Sequence, residues 1–126
     1  MNTQSRPTLP TPLVRNAITL QTDKGPSNAI DLNSEITLEL PAINDPSCTF
    51  VILALGSTDG NHNVQLIGSA PIVQGQPTVI TLSNKTDDQS PAFKSGHEAT
   101  ITGSVQVTGL DHWVDTPISE IYGFKS

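Results

Sequence analysis

The chain has 126 residues, a formal charge of −6, 35% apolar residues and only 14% charged ones. That length suits one domain, able to bury on the order of two-thirds of its unfolded surface without metal or disulfide staples. Arg6, Arg15, Lys24, Lys85, Lys94 and Lys125 are scattered, which argues against a nucleic-acid partner, because phosphate-backbone binding needs clustered cations.

No stretch approaches the roughly 20 apolar residues of a membrane-spanning helix, so no membrane insertion is expected. The opening residues 1–7 lack the apolar centre of an export signal. The compartment is left open, extracellular if the chain is a module of a larger secreted protein.

Taken in order, residues 1–12 hold Pro7, Pro10 and Pro12 among Thr and Ser and read as an extended, poorly packed arm. Residues 13–126 read as a single domain. A first strand is predicted over 14–20, followed by a polar stretch, 21–28, with the turn signal Lys24-Gly25-Pro26. Residues 29–32 form a short extended piece, and 35–40 a full strand that ends at Pro41.

After the turn Asn44-Asp45-Pro46-Ser47, residues 49–55 are continuously apolar and rich in β-formers, as a central strand is. Cys48, the only cysteine, opens this run and reads as a small buried hydrophobe. A turn over 56–62 leads to a strand at 64–67. The turn Gln74-Gly75-Gln76 precedes a strand at 78–82, and 84–96 is a long polar connection.

Residues 98–108 then carry the clearest signal in the chain. From Ala99 to Val107 every second residue is apolar or small and the others are polar, the period of a strand covered on one face. A loop over 109–117 and a last strand over 118–124 complete the series. About seven strands with turn chemistry between them predict an all-β, two-layer antiparallel sandwich. A closed barrel is the alternative, disfavoured because the 49–55 run is apolar on both faces while the other strands alternate. The expected core is Ile36, Leu38, Leu40, Phe50, Ile52, Ile80, Leu82, Ile101, Val105 and Val107.

Several motifs recur in a familiar order. Leu9-Pro10-Thr11-Pro12 precedes the first strand, and Ile36-Thr37-Leu38 is followed by a proline-marked loop and the apolar run from Phe50 to Leu55. Gly75-Gln76 stands ahead of Val79, and Lys94-Ser95-Gly96-His97 leads into Ala99-Thr100-Ile101-Thr102-Gly103-Ser104-Val105, with Ile121-Tyr122-Gly123-Phe124 at the end. This order resembles the immunoglobulin-like repeat modules of large bacterial surface and secreted proteins. The resemblance implies an immunoglobulin-like sandwich of bacterial origin, with a non-enzymatic binding, adhesive or structural role. Its implied partner is another protein or a second copy, met through loops or an exposed sheet edge.

The residues most suited to recognition lie in Gly109-Leu110-Asp111-His112-Trp113-Val114-Asp115-Thr116-Pro117, which holds the only Trp, two carboxylates and a His. If the strands run up and down in sequence, the connections 41–47, 69–76 and 109–117 share one end of the sandwich. The candidate binding set is therefore Asp45, Asp111, His112, Trp113 and Asp115. Trp113 suits an interface hot spot. It also suits stacking on a sugar ring, the basis of a lectin-like alternative; a structural alternative has it plugging the end of the core.

No metal or other cofactor is expected. Asp59, Asn61 and Asn63 alternate as in the first half of a calcium loop, yet Ala70 stands where a bidentate Glu is needed. A hairpin turn accounts for them, with an irregular calcium site as the weaker reading. Strand parity puts His62 and His97 at one end and His112 at the other, against a three-His site. Asp87 and Asp88 read as a solvated loop pair, and Asn84-Lys85-Thr86 matches a glycosylation sequon. Adjacent Asp111 and His112, without a serine in a strained turn, do not form a hydrolase triad, so catalysis is not expected.

Overall fold

The computed structural model describes residues 8–58, 64–85 and 91–126. They form strands and turns and no helix: β1 (Leu13–Val14), β2 (Ile18–Thr22), β3 (Gly25–Asp31), β4 (Ile36–Leu40), β5 (Cys48–Ser57), β6 (Gln65–Pro71), β7 (Thr78–Leu82), β8 (Glu98–Val107), β9 (Val114–Asp115) and β10 (Tyr122–Lys125). One sheet has the order β1-β4-β7. The other runs β2-β3-β10-β8-β5-β6, with β9 also paired to β8. The two sheets share a common core in a β-sandwich-like arrangement, with no closed barrel.

Alternation builds the smaller sheet. In β4, Ile36, Leu38 and Leu40 are fully buried while Thr37 and Glu39 face outward. Opposite them, β7 turns Thr78 and Ile80 inward in the register Leu40↔Thr78 and Leu38↔Ile80. Leu82 is half-buried and packs on the same core.

The centre of the larger sheet is the antiparallel pair β5 and β8. A bulge between Cys48 and Phe50 shifts the register once, and from there Val51, Leu53 and Leu55 point inward opposite Val105, Gly103 and Ile101. Phe50 and Ile52 consequently lie on the outer face and not in the core, contrary to expectation. The 49–55 run has no polar residue to mark a face except Thr49, and Thr49 is the bulged residue.

The expected strand over 14–20 is two strands in different sheets. At the crossing, Asn16 imitates a neighbouring strand: its Nδ2 donates to Glu35 O (2.8 Å) and its Oδ1 accepts from Thr37 N (3.1 Å). The chain is thereby released from β4 and continues as β2 in the other sheet. The polar stretch 21–28 is the tip of the β2–β3 hairpin, which turns at the expected signal and is closed by Thr22 and a Gly25 with φ of 106°. That left-handed backbone suits glycine.

β10 pairs in parallel with β3 and antiparallel with β8. Of the predicted strand 118–124, only the part from Tyr122 onward is ladder, as β10. Between β9 and β10 the segment still follows β8, through Thr116 N to Gly103 O (2.9 Å) and Ser119 N to Ile101 O (3.0 Å). Ser119 Oγ also accepts from Ile101 N at 2.7 Å, replacing a missing ladder carbonyl.

Residues 8–12 are not a loose lead-in. Leu9 and Pro12 are buried, since proline prevents ladder pairing without preventing burial. The two sheets are tied by Tyr122, whose buried hydroxyl accepts from Val14 N at 3.1 Å. Phe93 and Phe124 stack 4.5 Å apart at the opposite end of the core from the β4–β5 connection.

Candidate functional site

Three connections meet at one end of the sandwich. Gly75 N donates to Ile43 O (3.0 Å), Thr108 N to Ser47 O (2.8 Å) and the Gln74 side chain to Cys48 O (3.2 Å). Asp45 caps its own turn, its Oδ1 accepting from Ser47 Oγ (2.7 Å) and Ser47 N (3.0 Å). Those bonds hold its carboxyl below the ordinary carboxylate range. Beneath this turn Cys48 is buried, and burial together with the charge of Asp45 pushes its thiol upward. It therefore stays a thiol, a poor nucleophile.

From the 109–117 segment, β9 docks on β8 with Val114 opposite Val105 and Asp115 opposite Ser104. Val114 faces the core, so Trp113 and Asp115 share the outer face. Trp113 sits edge-on against Phe50, ring centroids 6.3 Å apart at 87°, and keeps 38% of its surface exposed. It is neither a core plug nor a free loop tip. Asp115 accepts from Ser104 Oγ at 3.1 Å. Asp111 is almost fully exposed and His112 half-exposed, with Oδ1 and Nδ1 2.9 Å apart, a contact that lowers the Asp111 pKa.

No family model, characterised protein or solved structure matches the chain. What the site can do follows from its own chemistry. An aromatic edge lies on the outer face of the sheet beside Phe50 and Ile52, with carboxylates from Asp111, Asp115 and, at the same end, Asp45. Such a surface can dock apolar groups and attract cationic or hydroxyl-bearing ones.

Sequence reasoning missed Phe50 and Ile52 as members of this face, because nothing in the run signals the bulge. It also missed Ser104, the polar residue of the β8 alternation that pairs with Asp115.

The remaining predicted positions divide in two. Asp59, Asn61, Asn63, His62, Asp87, Asp88 and Thr86 lie outside the described residues. Among the described residues no three His, Cys, Asp or Glu side chains gather as a metal site. His97 lies at the far end, where its Nδ1 accepts from Lys94 N (3.1 Å) and its ring meets Phe93 edge-on. Asn84 of the sequon is engaged at both amide atoms, donating to Phe93 O (2.9 Å) and accepting from Phe93 N (2.7 Å). Its nitrogen has a structural task in this fold.

Proposed function

We propose that this chain is an immunoglobulin-like module of bacterial origin that binds a partner protein without catalysing a reaction. The immunoglobulin-like reading is supported by the division of strands, β1-β4-β7 against a sheet centred on β5 and β8, and by the parallel pairing of β3 with β10. The observation that carries the binding reading is Trp113, 38% exposed and held edge-on by Phe50 on the outer sheet face beside acidic loops. A large aromatic fixed at low entropic cost beside like charges suits a basic surface with an apolar centre.

A photo-crosslinker at Asp115 should capture a partner from the native source, whereas one at Thr81, on the outer face of the smaller sheet, should not. Capture at Asp115 should fall at least tenfold in the Trp113→Ala variant. Equal yields from both positions would overturn this reading.

A carbohydrate ligand is the second reading, supported by the Ser104 and Asp115 oxygens on the face that carries Trp113. Binding on a glycan array that disappears with Trp113→Ala would select it over the protein partner.

A further inference from the structure

The β5–β6 ladder runs without a bulge, from Phe50 opposite Pro71 to Gly56 opposite Gln65. Two flanking bonds fix which backbone groups it uses: Ser57 N donates to Val64 O (2.9 Å) and Ile72 N to Thr49 O (3.0 Å). Antiparallel pairs alternate, so Leu66, Gly68 and Ala70 turn their N–H and C=O groups to β5, while Gln65, Ile67 and Ser69 turn theirs away. Among the described residues no strand covers that far side.

Edges of this kind are normally blunted by a charge, a proline, a bulge or a covering element. Here the one proline, Pro71, stands at the very end of β6 and leaves the outward N–H groups of Gln65, Ile67 and Ser69 in place. β6, with the sequence QLIGSAP, has no charge and no bulge. It is also held in place from below, because Gly68 lies directly against Ile80 and Leu82 of β7. At its middle Ile67 is 58% exposed, flanked by the exposed Gln65 and Ser69.

We propose that β6 pairs antiparallel with β6 of a second copy about a two-fold axis at Ile67, joining the two larger sheets into one. In that register Ile67 faces its own symmetry mate, and Gln65 faces Ser69 of the second copy. Every outward N–H then meets an outward carbonyl, and on the face each amide side chain meets a hydroxyl. The strand is thus self-complementary, as a two-fold interface requires. Centring the axis on Ser69 would set Pro71 against Ile67 and forfeit a donor.

The other edge of the same sheet is a poorer platform. β2 adjoins the charged Asp23-Lys24 turn and reaches the body only through β3, which β10 holds at Ala29, Ile30 and Asp31 alone.

The inference rests on reading the chain as an interaction module, and not on Trp113. It is tested by sedimentation of the full chain over a concentration series from micromolar to millimolar, for wild type, Ile67→Lys, Ile67→Pro and Trp113→Ala. The wild type and Trp113→Ala should dimerise alike, and both Ile67 variants should dimerise at least tenfold more weakly. Proline at 67 removes an outward N–H and no bond to β5, so thermal unfolding should stay cooperative.

Hydrogen exchange on the wild type provides a check that needs no variant. The Gln65, Ile67 and Ser69 amides should become protected as concentration rises. A wild type that stays monomeric, dimers that survive both Ile67 changes, or concentration-independent exchange at those amides would each overturn the proposal. Loss of dimerisation in Trp113→Ala would also overturn it, whereas loss of partner capture alone bears only on the Trp113 face.

Discussion

A methyl group added at Gly68 would press into Ile80, and one at Gly103 would lie 2.9 Å from both branches of Thr116 and 3.0 Å from Leu53. Neither neighbour is the free end of a flexible side chain. Gly68→Ala and Gly103→Ala should each cost about 1–3 kcal/mol through overpacking, read as a lower urea midpoint at unchanged slope. Asn84 acts differently, standing in for a strand by pairing both polar groups of Phe93; Asn84→Ala should cost about 1–3 kcal/mol on the same measurement. Tyr122 adds a pH term. Burial, its largest cause, raises its pKa, so the unfolded chain releases the phenolic proton first. Stability is unaffected below the ordinary tyrosine value of about 10 and falls as pH rises from there through the folded pKa. Denaturant titrations at rising alkaline pH should show this fall, and Tyr122→Phe should lessen it while lowering stability at neutral pH. None of these roles is legible in the sequence, where nothing tells Gly68 and Gly103 from the other glycines, and neither the sequon at Asn84 nor the single tyrosine names its partner. Each depends on a contact that only the fold creates, from Asn84 and Phe93, 9 positions apart, to Tyr122 and Val14, 108 apart.

At the scale of the element, legibility follows the alternation. Residues 35–40 and 99–107 mix polar and apolar side chains with period two, so side-chain polarity alone marks their inward faces, and Ile36, Leu38, Leu40, Ile101, Val105 and Val107 are all buried. Where the pattern is uniform it is silent: the 49–55 run signals burial, and the Thr49 bulge decides which residues receive it. Where it is all polar it misleads, since residues 21–28 at the tip of the β2–β3 hairpin bury no side chain and only Ala29 and Ile30 at its base are buried. Two outcomes follow. Ile101→Asp would place a carboxylate in the middle of the core and should abolish cooperative unfolding in a thermal melt. Ser119→Ala leaves Ile101 N without its acceptor in a buried ladder and should cost about 1–3 kcal/mol, with faster hydrogen exchange at the Ile101 amide as its local signature.

On the scale of the whole molecule, strand parity is enough to bring the connections carrying Asp45 and Trp113 to one end, because each chain reversal swaps ends. It does not tell that Trp113 is drawn onto a sheet face, since that depends on β9 docking beside β8. The fluorescence of Trp113 should therefore be intermediate: partly quenched by acrylamide, and more so in Phe50→Ala, which removes the ring against its edge. The position of β10 has a consequence for the order of synthesis. It is the last described strand in the chain, yet it lies inside its sheet, between β3 and β8. Translation delivers the early strands first, so the nascent chain holds two half-sheets with facing open edges until residues 122–125 leave the ribosome. Closure then joins Ala29 to Gly123 across most of the sequence, a non-local step of the kind that slows folding. During that interval another nascent copy could fill the gap with its own final strand.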